Sequence, residues 1–281
     1  MENKIYPTIK NSISLCLLLL GIQIGLGILL SIFQGLFSLS DNSLIVSILN
    51  TLISIISFGI VILIGFRKTK RSINEVFKFN KVSAFFWIAI TVFMTGFVIV
   101  ISETDNLLNY ILPMPEFFRN IFETISVEYI FILAIINMGI IPPITEELFF
   151  RGLILDGLKN NYSKRKAIII SALLFGLIHL NPWQAYGAFI MGLIFAWICI
   201  ETNSILLSIY MHFFNNTLYT ITLKYKELIP IKGFNVNFIT PVEFQPLWFD
   251  LSGLIILIIG TIMLIKGIKR LKQAPDRLQQ Q

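Results

Sequence analysis

Charge is scarce in this chain. Asp, Glu, Lys and Arg make up 14% of its 281 residues, against roughly 25% in an ordinary soluble domain. Cysteine is scarcer. Cys16 and Cys199 are the only two, too few for a disulfide framework, and without a CxxC they form no metal knuckle or redox pair. Each sits in an apolar run, where thiols are usually inert, so Cys199 is not read as a nucleophile. Acidic residues are fewer than basic ones, 16 against 22. That excess does not point to nucleic acid, because it gathers in short segments beside apolar runs, where it sets topology and meets anionic headgroups. HExxH, GxSG and GxGD are all missing, which removes the common zinc, serine and aspartyl protease signatures.

Hydrophobic runs fill the space that charge leaves. Residues of the set AVILMFWYC make up 56% of the chain, in stretches near the ~18–20 residues that cross a bilayer. The first, Ile13 to Phe37, is longer than the ~7–15-residue core of a signal peptide and is read as a span. Seven more follow at about Ser43–Phe66, Val82–Ser102, Tyr129–Leu158, Ala167–Leu180, Trp183–Ile200, Ser204–Leu223 and Leu247–Ile265. The expected fold is all-α: one integral membrane domain over residues 1–281, a helical bundle of about eight spans. Counted in order, the basic loop RKTKRSINEVFKFNK, the loop holding Lys159, Lys164, Arg165 and Lys166, and the tail with Lys266, Lys269, Arg270 and Lys272 fall on one side. The acidic segment with Glu103, Asp105, Glu116, Glu123 and Glu128 falls on the other. By the positive-inside rule both termini are cytoplasmic. Within the acidic segment, NLLNYILPMPEFFRNIFETI is expected to lie along the membrane surface.

Histidine is the scarcest chemically useful residue. His179 and His212 are the only two, and both lie in apolar surroundings. A third apolar stretch carries Glu146, Glu147 and Arg151 in TEELFFRG. One buried imidazole alone reads as helix glue, but ionisable groups on three spans point to a functional site, assembled from spans four, five and seven. Just before the glutamates, Pro142-Pro143 predicts a kink or break, since the first proline disfavours helical geometry at Ile141. On a helix the adjacent Glu146 and Glu147 point ~100° apart. Arg151 is four residues beyond Glu147 and on its face. Glu147–Arg151 therefore reads as a supporting pair and Glu146 as the reactive carboxylate. The same four-residue spacing puts Phe175 beside His179 and Asn216 beside His212. Measured from the basic ends of their spans, all these groups lie ~12–18 Å deep at 1.5 Å per residue, so they share one level.

EELFFR, FGLIH and HFFNN resemble, in order, the motifs EExxxR, FxxxH and HxxxN/D of the CPBP family of intramembrane proteases, the CAAX prenyl endopeptidases and bacteriocin-processing Abi proteins. The resemblance covers about residues 129–223, the expected catalytic core. It implies an intramembrane endopeptidase with a membrane-associated peptide or protein as substrate. Glu146 and His179 would activate water, His212 and Asn216 would stabilise the oxyanion, and Glu147, Arg151 and Phe175 would support them. No cofactor is required by that reading. An alternative uses Glu146, His179 and His212 as zinc ligands. Two further alternatives are a non-catalytic immunity or regulatory scaffold, and an ion-coupled transporter, which the absence of visible repeats disfavours. Heavy use of Ile, Lys, Asn and Phe suggests a bacterial cell membrane.

Overall fold

The computed structural model describes residues 4–40, 43–119, 131–229, 231–235 and 241–273. It is helical throughout, with no strand among the described residues. Among the described residues, eight long helices alternate between two ends: α1 (Ile9–Phe37), α2 (Leu44–Thr69), α4 (Ala84–Ile111), α5 (Phe131–Asn161), α6 (Lys164–Leu177), α7 (Pro182–Thr202), α8 (Leu206–Lys224) and α9 (Leu247–Gln273), with a short α3 (Ile73–Phe77) in the basic loop. Six of them, α1, α2, α4, α5, α7 and α9, are long and apolar enough to cross a membrane. This is an integral membrane protein.

The two expected spans outside that set are the ones that bring the histidines. α6 has 14 residues, or ~21 Å at 1.5 Å per residue, less than a ~30 Å hydrocarbon core. α8 has 19 residues, but Ser208, His212, Asn215, Asn216 and Thr217 make it too polar to qualify.

Polar ties gather the basic segments at one end. Asp156, near the close of α5, is clasped by Arg71 and Lys78 of the loop after α2. Ile5 and Asn161 bond to each other, Asn80 donates to the carbonyl of Asn203, and Lys164 and Lys272 both pair with Glu201. Both basic loops and the end of α9 therefore share a face, as the parity of the sequence requires. At the opposite end, Ser102 and Asn106 donate to the carbonyl of Gly233, and Gln245 donates its backbone N–H to the carboxylate of Glu103 and its side-chain amide to the carbonyl of Ile99.

Local sequence explains the helix limits. Ser43 caps α2 by accepting from the amide of Val46, and Asn181 caps α7 at Gln184, with Pro182 in its first turn. α4 and α9 lie so close that a Cβ on Gly96 would come 2.3 Å from the backbone nitrogen of Leu257, and one on Gly260 would come 2.4 Å from Phe93. Small residues let membrane helices approach in this way. α4 runs to Ile111, so Asn106–Ile111 continue a spanning helix rather than a surface segment. Of the rest of that segment, residues 120–125 lie outside the described residues.

Candidate active site

The prolines do not break α5. Ile141 keeps helical angles, φ −65° and ψ −52°, contrary to the departure from helical geometry expected there. The backbone instead widens into a π turn over Ile135–Ile140, where the amide of Ile141 bonds to the carbonyl of Ile136. A second π segment, Leu148–Ile154, follows the glutamates directly. Such widened turns are rare and often mark functional sites. They have a local consequence. The carbonyl of Met138 would take its donor from residue 142 in an α register or 143 in a π register, and both are proline. The side chain of Asn216 fills that gap, its Nδ2 donating to the Met138 oxygen at 2.9 Å. α8 is drawn against α5 at this point, and a Cβ on Gly139 would stand 2.6 Å from Oγ1 of Thr217.

One turn away, α5 and α8 meet again. Oε1 of Glu147 accepts from Nη1 of Arg151 at 2.9 Å and from Nδ1 of His212 at 3.0 Å. Both members of the Glu147–Arg151 pair have side chains 0% exposed, and His212 is buried with them. The guanidinium reaches the carbonyl of Gly192 through Nη2 at 3.4 Å and lies over Phe175 at 4.4 Å and Phe195 at 5.3 Å. These aromatic faces offset part of the cost of burying the cation. Oε2 of Glu147 and Nε of Arg151 remain buried without partners.

Glu146 is disposed differently. It makes no bond to Arg151, its side chain is 16% exposed, and Oε2 stands 3.9 Å from Nε2 of His212. That is too long for a direct hydrogen bond, and one bridging water can span it. Because Nδ1 of His212 gives its proton to a carboxylate, the neutral ring presents a bare Nε2 toward Glu146.

His179 lies beyond the end of α6, in the turn after Leu177, rather than within a helix. The reason is local. Leu180 takes a left-handed φ of 56° and ends the helix, leaving carbonyls that need donors. Nδ1 of His179 caps that of Phe175 at 2.9 Å, and Nδ2 of Asn181 caps that of His179 at 2.9 Å. A carbonyl only accepts, so Nδ1 carries the proton and Nε2 is left as an acceptor. The Phe175 ring meets both imidazoles, with centroids 5.5 Å from His179 and 5.8 Å from His212.

Glu147, Arg151 and His212 thus meet directly, Glu146 stands 3.9 Å from His212, His179 joins them through Phe175, and Asn216 sits one turn from His212, bound to the backbone of α5. Sequence reasoning did not find Gly192 and Phe195 of α7, which had been read as a returning span, nor the role of the Met138 carbonyl. The last was legible: two successive prolines in a helix orphan the same carbonyl in either register. Among the described residues, no three His, Cys, Asp or Glu side chains are grouped to hold a metal ion.

Fold and site together define a polytopic helical membrane protein with a buried Glu–Arg–His cluster beside a less buried glutamate. Over residues 128–218 the sequence matches the family model described as type II CAAX prenyl endopeptidase Rce1-like. The family resemblance read from the three motifs therefore holds over that segment. "UPF0177 protein YxdF" of Lactococcus lactis is 34% identical over 76 residues, which cover 27% of this chain and 41% of that protein. "Putative membrane peptidase YdiL" of Bacillus subtilis is 30% identical over 102 residues, 36% of this chain and 40% of that protein. The chain thus spans about two fifths of the length of these curated relatives. No solved structure matches.

Proposed function

We propose that this chain is an intramembrane endopeptidase that hydrolyses a membrane-associated peptide or protein with water activated by Glu146. The observation that carries the reading is the unequal treatment of two neighbouring carboxyls. Glu147 is tied by Arg151 and His212, while Glu146 is left without an arginine, partly open, at water-bridging distance from an imidazole. The family match and the relative named a membrane peptidase support the same class.

In this reading a water held by Glu146 and by Nε2 of His179 attacks the peptide carbonyl carbon, and Glu146 takes its proton. His212 enters the step already doubly protonated, its second proton taken up from solvent at Nε2. The tetrahedral oxygen accepts from that Nε2–H, while Nδ1–H stays on Glu147, and from the second N–H of the Asn216 amide, and His212 keeps both protons throughout. Glu146 then passes the proton to the leaving amine as the C–N bond breaks. Glu147, Arg151 and Phe175 hold the imidazoles and take no proton. The basic end faces the cytoplasm, and the organism is a bacterium.

The test is peptidomics of membranes from cells carrying the wild-type chain or Glu146→Gln. Uncleaved peptides should accumulate in the variant, and the purified wild-type protein should cleave them in liposomes. Equal processing by both would leave the cluster a binding scaffold and end the catalytic reading.

A further inference from the structure

Where α8 packs against α4 and α7 lies a second polar space. It is a cavity of about 70 Å³ between α4, α7, α8 and the turn at residues 232–235, walled in part by Ser102, Asp105, Gly187, Asn215, Tyr219 and Asn235. A water takes a ~30 Å³ share of liquid volume, so the cavity holds a very small ligand. Oδ1 of Asp105 is buried without any hydrogen-bond partner. A bare carboxylate with such an oxygen is costly at membrane depth unless something positive meets it.

The two asparagine neighbours are arranged as acceptors. Asn216 commits its Nδ2 to the carbonyl of Met138, so its Oδ1 must be the atom that meets Asn215. Asn215 therefore donates there, at 3.2 Å, and its own Oδ1 has no protein donor. On the other wall, Oγ1 of Thr222 gives its proton to the carbonyl of Tyr219 and so accepts from Nδ2 of Asn235 at 3.0 Å, which leaves Oδ1 of Asn235 in the same condition. Ser102 hands its hydroxyl proton to the carbonyl of Gly233. The amide orientations are fixed from outside, and the cavity walls keep oxygen.

We infer that this cavity is a binding site for an alkali cation, with the Asp105 carboxylate as its one charged ligand and Asn215 and Asn235 as neutral oxygen ligands. One carboxylate neutralises a monovalent ion. Neutral oxygens suit hard cations and not zinc. Asn215 bonds to Asn216, so an ion here steadies the amide that also reaches Met138. The site is independent of the proposed peptidase chemistry and survives its failure.

The experiment is thermal unfolding of the purified full-length protein in detergent, at constant ionic strength, with choline chloride replaced stepwise by NaCl or KCl. A saturable rise of ~2–4 °C is expected from one of the two salts, the scale of a ligand bound only by the folded state. Asp105→Asn should lose it. Gly187→Leu should lose it too by filling the space, since a Cβ at Gly187 already stands 3.9 Å from Oδ1 of Asp105, and this change touches none of the side-chain hydrogen bonds described above. Indistinguishable melting in all three salts would mean that the cavity holds water beside a protonated carboxyl, and would overturn the site. So would a rise that persists in both variants.

Discussion

α5 carries two buried acidic clusters nine residues apart, and they are built to opposite ends. At the basic end, Asp156 is 3% exposed and saturated. Arg71 takes one oxygen, Lys78 the other, and Asn160 bonds to the carboxyl from one turn on. In the middle of the same helix, Glu147 spends one oxygen on two partners and leaves the other bare, and beside it Glu146 has no cation but a histidine 3.9 Å away. A carboxylate whose every lone pair is answered locks a fold. One that stays unanswered at membrane depth persists only where something else uses it.

The sharpest way to break this comparison is to neutralise one carboxyl in each cluster. Glu146→Gln keeps shape and should lower cleavage of a reconstituted substrate by ~10²–10⁴-fold, the usual contribution of a general base, with the melting temperature unmoved. Asp156→Asn should do the reverse. Both cations are partly exposed, with Arg71 at 25% and Lys78 at 17%, so solvent screens part of the loss. A fall of ~1–3 kcal/mol in unfolding free energy is expected, measured by denaturant titration in detergent, with turnover of the folded fraction preserved. If Asp156→Asn silenced turnover without destabilising, the two clusters would not differ in kind.

How far each cluster was legible in the sequence follows the same division. The mid-membrane residues stood out because charge in an apolar run is rare, and helical spacing alone paired Glu147 with Arg151 and His212 with Asn216. The basic-end clasp was invisible. Arg71 and Lys78 looked like topology signals, and nothing in their spacing names Asp156, which lies about 80 residues further on. His179 was assigned to a helix because FGLIH continues its apolar pattern. Its place in the turn depends on the left-handed Leu180, and leucine gives no local warning of that conformation. The break expected at Pro142 failed because a π turn absorbed the prolines, a rearrangement that hydrophobic periodicity does not reveal.

The proposed mechanism gives Asn216 two duties, and a double-mutant cycle separates them. Asn216→Ala removes the donor to the Met138 carbonyl as well as an oxyanion donor, so it should cost ~1–3 kcal/mol of stability and also reduce turnover. Pro142→Ala returns a backbone N–H four residues beyond Met138. In that background the stability penalty of Asn216→Ala should shrink by more than half while the loss of turnover remains, as expected when two interactions are severed independently. Parallel shrinkage of both penalties would make Asn216 a helix tie alone.

The smallest effect is expected from chelation, and it bears on the zinc alternative. A three-ligand zinc site needs its donors ~2.0–2.2 Å from one ion, which brings the donor atoms of Glu146, His179 and His212 within a few ångströms of each other. In this structure His179 is anchored by its Nδ1 to the carbonyl of Phe175, and His212 by its Nδ1 to Glu147. Gathering the three donors would require the turn after α6 to move relative to α8. Prolonged dialysis of the reconstituted protein against a strong chelator should therefore change the cleavage rate by less than ~2-fold, well below the ~10–100-fold that disturbing even the outer shell of a metal site costs. Loss of activity that zinc restores, together with a shift in melting temperature on adding it back, would show that the ligands do rearrange around an ion and would reassign Glu146 from base to ligand.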